Sequence, residues 1–166
     1  MRYSGVIYND ITAAPGLCVT FFTQGCPHQC HGCHNPNTWD FEGGKDTSFE
    51  KILNAIDENP LLAGVTFSGG EPFCQAEGFA ALADEIHKRN LDIVTFTGYT
   101  LEELREMAKT DSAVEDLLNK TDLLIDGPYI KEERDLTLQF RGSRNQRIID
   151  MKATGNAEIP VLWEQK

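Results

Sequence analysis

Four short runs rich in β-branched and aromatic residues alternate with segments of helical spacing, and each run ends in a polar or glycine-rich motif. The first covers 17–22 and stops at Gly25. The second, Val65-Thr66-Phe67, ends at Gly69-Gly70, and the third, over 92–97, ends at Gly98. The fourth, Leu123-Leu124-Ile125, ends at Asp126-Gly127-Pro128. Such runs read as strands. Between them, Phe49, Ile52, Leu53 and Ile56 recur at helical intervals, as do Phe79, Leu82, Ala83 and Ile86. Leu101, Leu104 and Ala108 mark a third helix, and Val114, Leu117 and Leu118 a short fourth. Thr47 with Glu50 and Thr100 with Glu103 have capping-box spacing, and Pro60 closes the first helix. Ile148-Ile149 reads as a fifth strand.

Strands alternating with helices imply parallel βαβ units, and right-handed crossovers lay successive strands side by side. A complete eight-unit barrel takes about 250 residues. At 166 residues without an internal repeat or linker, this chain is expected to be one domain over 1–166. The expected fold is α/β, an open partial (β/α) barrel with mostly parallel strands. In such folds the loops after the strands share one end of the sheet, where sites are built. Residues a hundred positions apart can therefore meet at one ligand.

Charge narrows the function. Lys and Arg number 15 against 26 Asp and Glu, a net charge of −11. So acidic a chain matches phosphate backbones and anionic membranes poorly, which argues against nucleic-acid binding. No apolar run approaches the roughly 20 residues of a membrane helix, and the start lacks the apolar stretch of a secretory signal. A cytoplasmic protein is expected.

Three of the five cysteines, Cys26, Cys30 and Cys33, stand in the spacing C-x3-C-x2-C. An odd total cannot pair off completely, and in a reducing compartment such a cluster points to a metal site. Three thiolates on one tight loop can hold three irons of a 4Fe-4S cluster and leave the fourth open, whereas a ferredoxin cluster uses four cysteines. The same thiols with His28, His31 or His34 can make a Cys3His zinc site. His28 and His31 otherwise read as solvated loop residues. Cys18 lies in a strand as a small buried hydrophobe. Cys74, just after the second strand's motif, reads as a bystander, with a redox thiol or extra ligand as the alternative.

The cysteine loop after a first strand, followed by Ser68-Gly69-Gly70-Glu71-Pro72 after a second, resembles the radical S-adenosylmethionine (SAM) enzymes. Their fold is a full or partial (β/α) barrel. Within them the chain is most similar to the small activating proteins of anaerobic ribonucleotide reductase. The matching stretches are 9–16, 25–39, 68–72, Thr97-Gly98-Tyr99, Asp126-Gly127-Pro128-Tyr129 and Arg141-Gly142-Ser143-Arg144-Asn145-Gln146. They run in order through nearly the whole chain. An aromatic often precedes the third cysteine in the wider superfamily; here it is Gly32, as in the small activating proteins.

The resemblance implies a 4Fe-4S cluster on Cys26, Cys30 and Cys33, with the amino and carboxylate groups of SAM on the open iron. One electron from a low-potential donor such as flavodoxin then breaks the sulfur–C5′ bond. The 5′-deoxyadenosyl radical takes a hydrogen from a glycine of the large subunit of anaerobic ribonucleoside-triphosphate reductase. Backbone over Gly32, Cys33 and His34 would meet the adenine edge. Gly69 and Gly70 would let backbone approach SAM, and Glu71 would accept from its ammonium; the alternative is a plain strand-ending turn with a surface glutamate. Asp126, a carboxylate ending an apolar strand, needs a cation, the SAM ribose or the incoming peptide as partner if buried, and otherwise reads as a helix-cap or turn aspartate. Thr97 and Tyr99 are candidate pocket residues, with packing under a loop as the alternative for the tyrosine. Arg141, Arg144 and Asn145, beside Arg147, are candidate contacts to SAM or partner, or part of a solvated basic loop. Two rival functions remain: activation of another glycyl-radical enzyme, and a zinc-binding interaction module.

Overall fold

The computed structural model describes residues 2–33, 35–46 and 48–164, without the side chain of Phe49. Its strands are β1 (Arg2–Asp10), β2 (Cys18–Thr23), β3 (Lys45–Asp46), β4 (Gly64–Gly69), β5 (Asp92–Phe96), β6 (Leu123–Asp126) and β7 (Arg147–Asp150). Its helices are α1 (Phe49–Asp57), α2 (Ala76–His87), α3 (Leu101–Ala108), α4 (Ser112–Lys120) and α5 (Met151–Thr154). The strands form one sheet in the order β3-β1-β2-β4-β5-β6-β7.

The four strands with motifs at their ends are β2, β4, β5 and β6. They lie side by side in chain order and pair in parallel. Outside them the sheet departs from the mostly parallel expectation. β1 pairs antiparallel with both β2 and β3, and β7 pairs antiparallel with β6. The reason lies in the connections. A parallel neighbour needs a crossover back to the starting end of the sheet. No α-helix intervenes between β1 and β2 or between β6 and β7, so each chain returns from the end it reached. β1 has no clear sequence signature: Gly5 interrupts it, and Ile7 and Tyr8 are exposed apolar residues rather than members of an alternating pattern.

Helix starts follow local chemistry. Thr100 and Glu103 form the expected capping box of α3. The Thr47–Glu50 pair lies outside the described residues; Ser48 caps α1, its side chain accepting from Lys51 N.

Strand alternation sends side chains to two faces. Val19, Phe21, Val65, Phe67, Ile93, Leu124 and Ile149 join the main core, where they meet α1 to α4 through Ile56, Phe79, Leu82, Ile86, Leu104 and Leu117. Phe67 is fully buried, its ring 4.5 Å from that of Phe79. On the other face Cys18, Val94, Ile125 and Ile148 meet Ala14, with Phe140 and Trp163 against them. That second face is covered by loops and the tail rather than by helices. Its loop after β1 is pinned by Asp10, whose carboxylate accepts from Thr12 N at 2.8 Å, Thr12 Oγ1 at 2.7 Å and Thr20 Oγ1 at 2.8 Å.

Two outcomes follow for stability. Phe67→Ala should cost about 3–5 kcal/mol in urea denaturation, since the main core loses a ring between sheet and α2. For Asp10, burial alone would raise the carboxyl, but hydrogen bonds from Thr12, Thr20 and the Ala13 backbone outweigh it and lower it below its ordinary value. A carboxylate lowered on folding stabilises fully above the unfolded value, and the gain is lost as pH falls through the folded one. Asp10→Asn should therefore reduce stability at neutral pH and flatten the acid limb of the profile below about pH 4.

Candidate functional site

The cysteine loop leaves β2 at Thr23 and is closed at its base by backbone. Gly25 N donates to Thr38 O at 2.6 Å and Cys26 N to Trp39 O at 3.2 Å. The Gln24 side chain ties Asn37 O at 3.1 Å and Asp40 O at 2.7 Å. Within the loop Cys33 N donates to Cys30 O at 3.0 Å. Cys26 is buried, while Cys30 and Cys33 are half-buried. Burial raises the Cys26 thiol; the Glu71 and Cys30 charges add to this, and the His28 and Gln29 backbone N–H groups oppose it.

All three thiols line one cavity of about 210 Å³ at the carboxyl ends of the parallel strands. Its other walls include Ser68, Gly69 and Gly70 at the end of β4, Phe96, Thr97 and Gly98 at the end of β5, and Gly127 after β6. Trp39 lines it too, and its indole Nε1 is buried with no partner among the described residues. A buried donor without a partner is costly, so this indole nitrogen stands out among the residues of the cavity wall. Gly69 and Gly70 have a second reason to be glycine. A Cβ on Gly69, at φ +93°, would lie 2.6 Å from Thr23 N, and one on Gly70 would strike the Gly25 carbonyl. They let the end of β4 close against the start of the cysteine loop, beside lining the cavity.

Glu71 does something other than wait for an ammonium. It is fully buried. Thr97 Oγ1 lies 2.8 and 2.9 Å from its two oxygens, Gly98 N donates at 2.8 Å and Phe73 N at 3.1 Å. His28 Nε2 donates to Oε1 at 2.6 Å. The carboxylate thus sits behind the cavity wall and joins the ends of β4 and β5 to the cysteine loop. Thr97 lines the cavity but gives its hydroxyl to Glu71. Tyr99 packs against the main core, with the His28 ring at its edge 4.4 Å away. His28 is therefore not the solvated residue expected from its loop position. Its partner lies 43 residues away, a pairing that no local pattern announces.

Asp126 is also buried and also engaged, and its partner is a cation. Arg147 Nε and Nη2 donate to its oxygens at 3.1 and 2.5 Å, and Leu101 N at 2.8 Å. Arg147 continues to Glu102 at 2.8 Å. These acceptors raise the guanidinium further above its already high value. The chain after Asp126 is zipped to the basic segment: Asn145 Nδ2 donates to Pro128 O at 2.7 Å and Gln146 Nε2 to Gly127 O at 3.1 Å. Asn145 thus orders the wall that holds Gly127. Arg141 reaches Gln146 O at 3.3 Å, with its Nε buried and unpartnered among the described residues. Arg144 is exposed, and its backbone bonds Glu133. Gly32 is exposed with φ +77° beside Lys131. His34 lies outside the described residues. Cys18 is buried under Asp10 O. Cys74 reaches the surface, yet its packed surroundings and the Glu71 charge push its thiol up to about 12.

Among the described residues no three His, Cys, Asp or Glu side chains converge tightly enough to hold a single metal ion. A cubic cluster makes a different demand. Each cysteine binds its own iron, so the thiols stand around the group instead of meeting at a point. Three soft thiol donors on the wall of one cavity fit that requirement.

Comparison with known proteins agrees. Residues 13–149 match the family model described as a 4Fe-4S single cluster domain. The anaerobic ribonucleoside-triphosphate reductase-activating protein of Vibrio cholerae is 35% identical over 158 residues, 89% of this chain and 97% of that one. That of Salmonella typhimurium is 34% identical over 154 residues, 88% and 96% of the two chains. The chain belongs to this family. A solved structure, QueE from Escherichia coli, overlaps with a TM-score of 0.49 at 19% identity, covering 60% of this chain and 53% of that one. The family's match runs from before β2 to Ile149 within β7 and so includes the cysteine loop and every strand end around the cavity. No helix among the described residues is long and apolar enough to cross a membrane.

The Asp126–Arg147 pair gives a test of the wall's construction. Arg147→Ala leaves a buried carboxylate with one backbone donor and should cost about 2–3 kcal/mol in denaturant melts, discounted for the open third of the arginine. Asp126→Asn in the same chain should recover most of that loss, because the uncompensated charge is then gone.

Proposed function

We propose that this chain is a radical SAM activase, a single domain that generates a glycyl radical on anaerobic ribonucleoside-triphosphate reductase. The observation that carries the reading is the meeting of three thiols with three glycine-bearing strand ends around one cavity, in a chain of this family. Its fold class is the open partial (β/α) barrel of the radical SAM type, supported by the parallel β2, β4, β5 and β6 with α-helices on one face.

Cys26, Cys30 and Cys33 would hold a 4Fe-4S cluster with one iron left for SAM. Held there, a cluster would supply the single electron for reductive cleavage of SAM, and the radical chemistry that follows would be directed at a glycine of the reductase. The chain's own work is binding and orientation. Buried Cys26 anchors the inner side of the ligand triplet, and half-buried Cys30 and Cys33 complete it. Gly69, Gly70, Gly98 and Gly127 put backbone rather than side chains on the rest of the wall, where it can approach a ligand closely. Glu71 and Asp126 hold that wall in register from behind, through Thr97 and Gly98 in one case and Arg147 in the other. Gly32, Cys33 and His34 remain the backbone assigned to the adenine edge. The large subunit of the reductase is the partner, a flavodoxin-type protein the electron donor, and the cytoplasm the setting.

Anaerobic reconstitution is the test. The full chain should bind about four irons and four sulfides, and when reduced it should cleave SAM. Mixed with the reductase, it should produce a glycyl radical seen by electron paramagnetic resonance. Cys26→Ala, Cys30→Ala and Cys33→Ala should each lose the cluster, while Cys74→Ser keeps it. A colourless protein saturated by one zinc ion would sink the reading, and SAM cleavage with no radical on the reductase would remove the target.

A further inference from the structure

We infer that His28 is a positioning residue: its imidazole latches the cysteine loop to the strand ends and so sets where the three thiols stand over the cavity. The inference rests on the cluster reading above; His28 lines the same cavity, and the hydrogen bond of its ring goes back to Glu71.

The loop's backbone ties come from Gly25 and Cys26, before or at the first thiol. His28 lies between the first and second thiols, with its side chain 16% exposed. Its Nε2 donates to Glu71 at 2.6 Å. The anchor is rigid, because the same carboxylate is held by Thr97, Gly98 N and Phe73 N. The ring is held as well by Tyr99, the two centroids 4.4 Å apart in a T-shaped contact at 76°.

Gly98 supplies an independent observation. The three atoms nearest a Cβ built there are all in the His28 imidazole, close enough to collide. Gly98 is not among the glycines with positive φ, so its backbone does not require glycine. The ring does. The end of β5 is shaped as a seat for His28.

Three thiols on a swaying loop would present their ligand group at varying distances from the wall that binds SAM. A bond to a fixed carboxylate in the middle of the triplet removes that freedom, as supporting shells do for metal ligands generally.

The test uses the full chain, reconstituted anaerobically, with two variants that differ in reach. A glutamine amide can stand where His28 Nε2 stands; an asparagine amide falls short of it. The readouts are the rate at which a ferrous chelator strips iron, followed by absorbance, and KM against kcat for SAM cleavage. His28→Asn should shed iron about tenfold faster than the parent, the scale of one lost hydrogen bond to a charged group. It should raise the KM for SAM more than it lowers kcat. His28→Gln should stay within about threefold of the parent, because the donor is kept. Gly98→Ala, which leaves His28 in place and fills its seat, should shed iron like His28→Asn. The inference is overturned if His28→Asn holds iron as the parent does, or if the Gln and Asn variants are equally labile. It is overturned also if Gly98→Ala matches the parent. A parent that assembles no cluster would defeat the proposed function itself, and this inference with it; a normal parent with unaffected variants would defeat only the latch.

Discussion

A carboxylate with no exposure must be met by donors or not be charged there at all, and the region around Glu71 is organised by that requirement. Thr97 and Gly98 come from the end of β5, Phe73 from the turn before α2, and His28 from the cysteine loop. Each donor group has its own place in the chain, and the buried charge penalises the departure of any of them. Three segments, the turn at Glu71–Phe73, the end of β5 and the cysteine loop, are thereby held at one point. The cavity is what remains in front of that point.

A second buried carboxylate repeats the device one strand further on. Asp126 takes Leu101 N and Arg147, which fixes the start of α3 and the start of β7 to the end of β6. From there Asn145 and Gln146 carry the Gly127–Pro128 turn. Both motif acids therefore act behind the wall, and the surfaces facing the cavity are mainly thiols, glycine backbone and aromatic edges. Such a wall suits a cofactor that brings its own charges and reactivity.

The sheet's two faces divide the labour. Helices α1 to α4 cover one face with the main core, so the parallel strands are rigid from below. The other face has a smaller core closed by the loop after β1, Phe140 and the tail at Trp163. The strand ends can thus be precise while the surroundings of the cavity stay open to a protein partner. The antiparallel additions β1 and β7 widen the sheet without supplying the strand ends that carry the glycines.

Much of this was legible in the chain. Strands β2, β4, β5 and β6, the spacing of α2, α3 and α4, and the gathering of motifs at one sheet end follow from local periodicity and the handedness of crossovers. Those are short-range or topological rules, and they need no knowledge of partners. The cysteine triplet likewise announces itself, because its spacing is a property of one loop. What sequence could not decide is which buried charge meets which donor. Glu71 looks like a ligand-facing acid beside a strand end and His28 like a solvated loop residue, until folding sets 43 residues of separation at 2.6 Å; for Asp126 the sequence allowed a cation but could not say that it is Arg147. Side-chain pairing at that range depends on the three-dimensional path of the strands. The sequence by itself determined the chemistry available to the loop; only the tertiary structure decided which residues touch the cavity and which hold it in place.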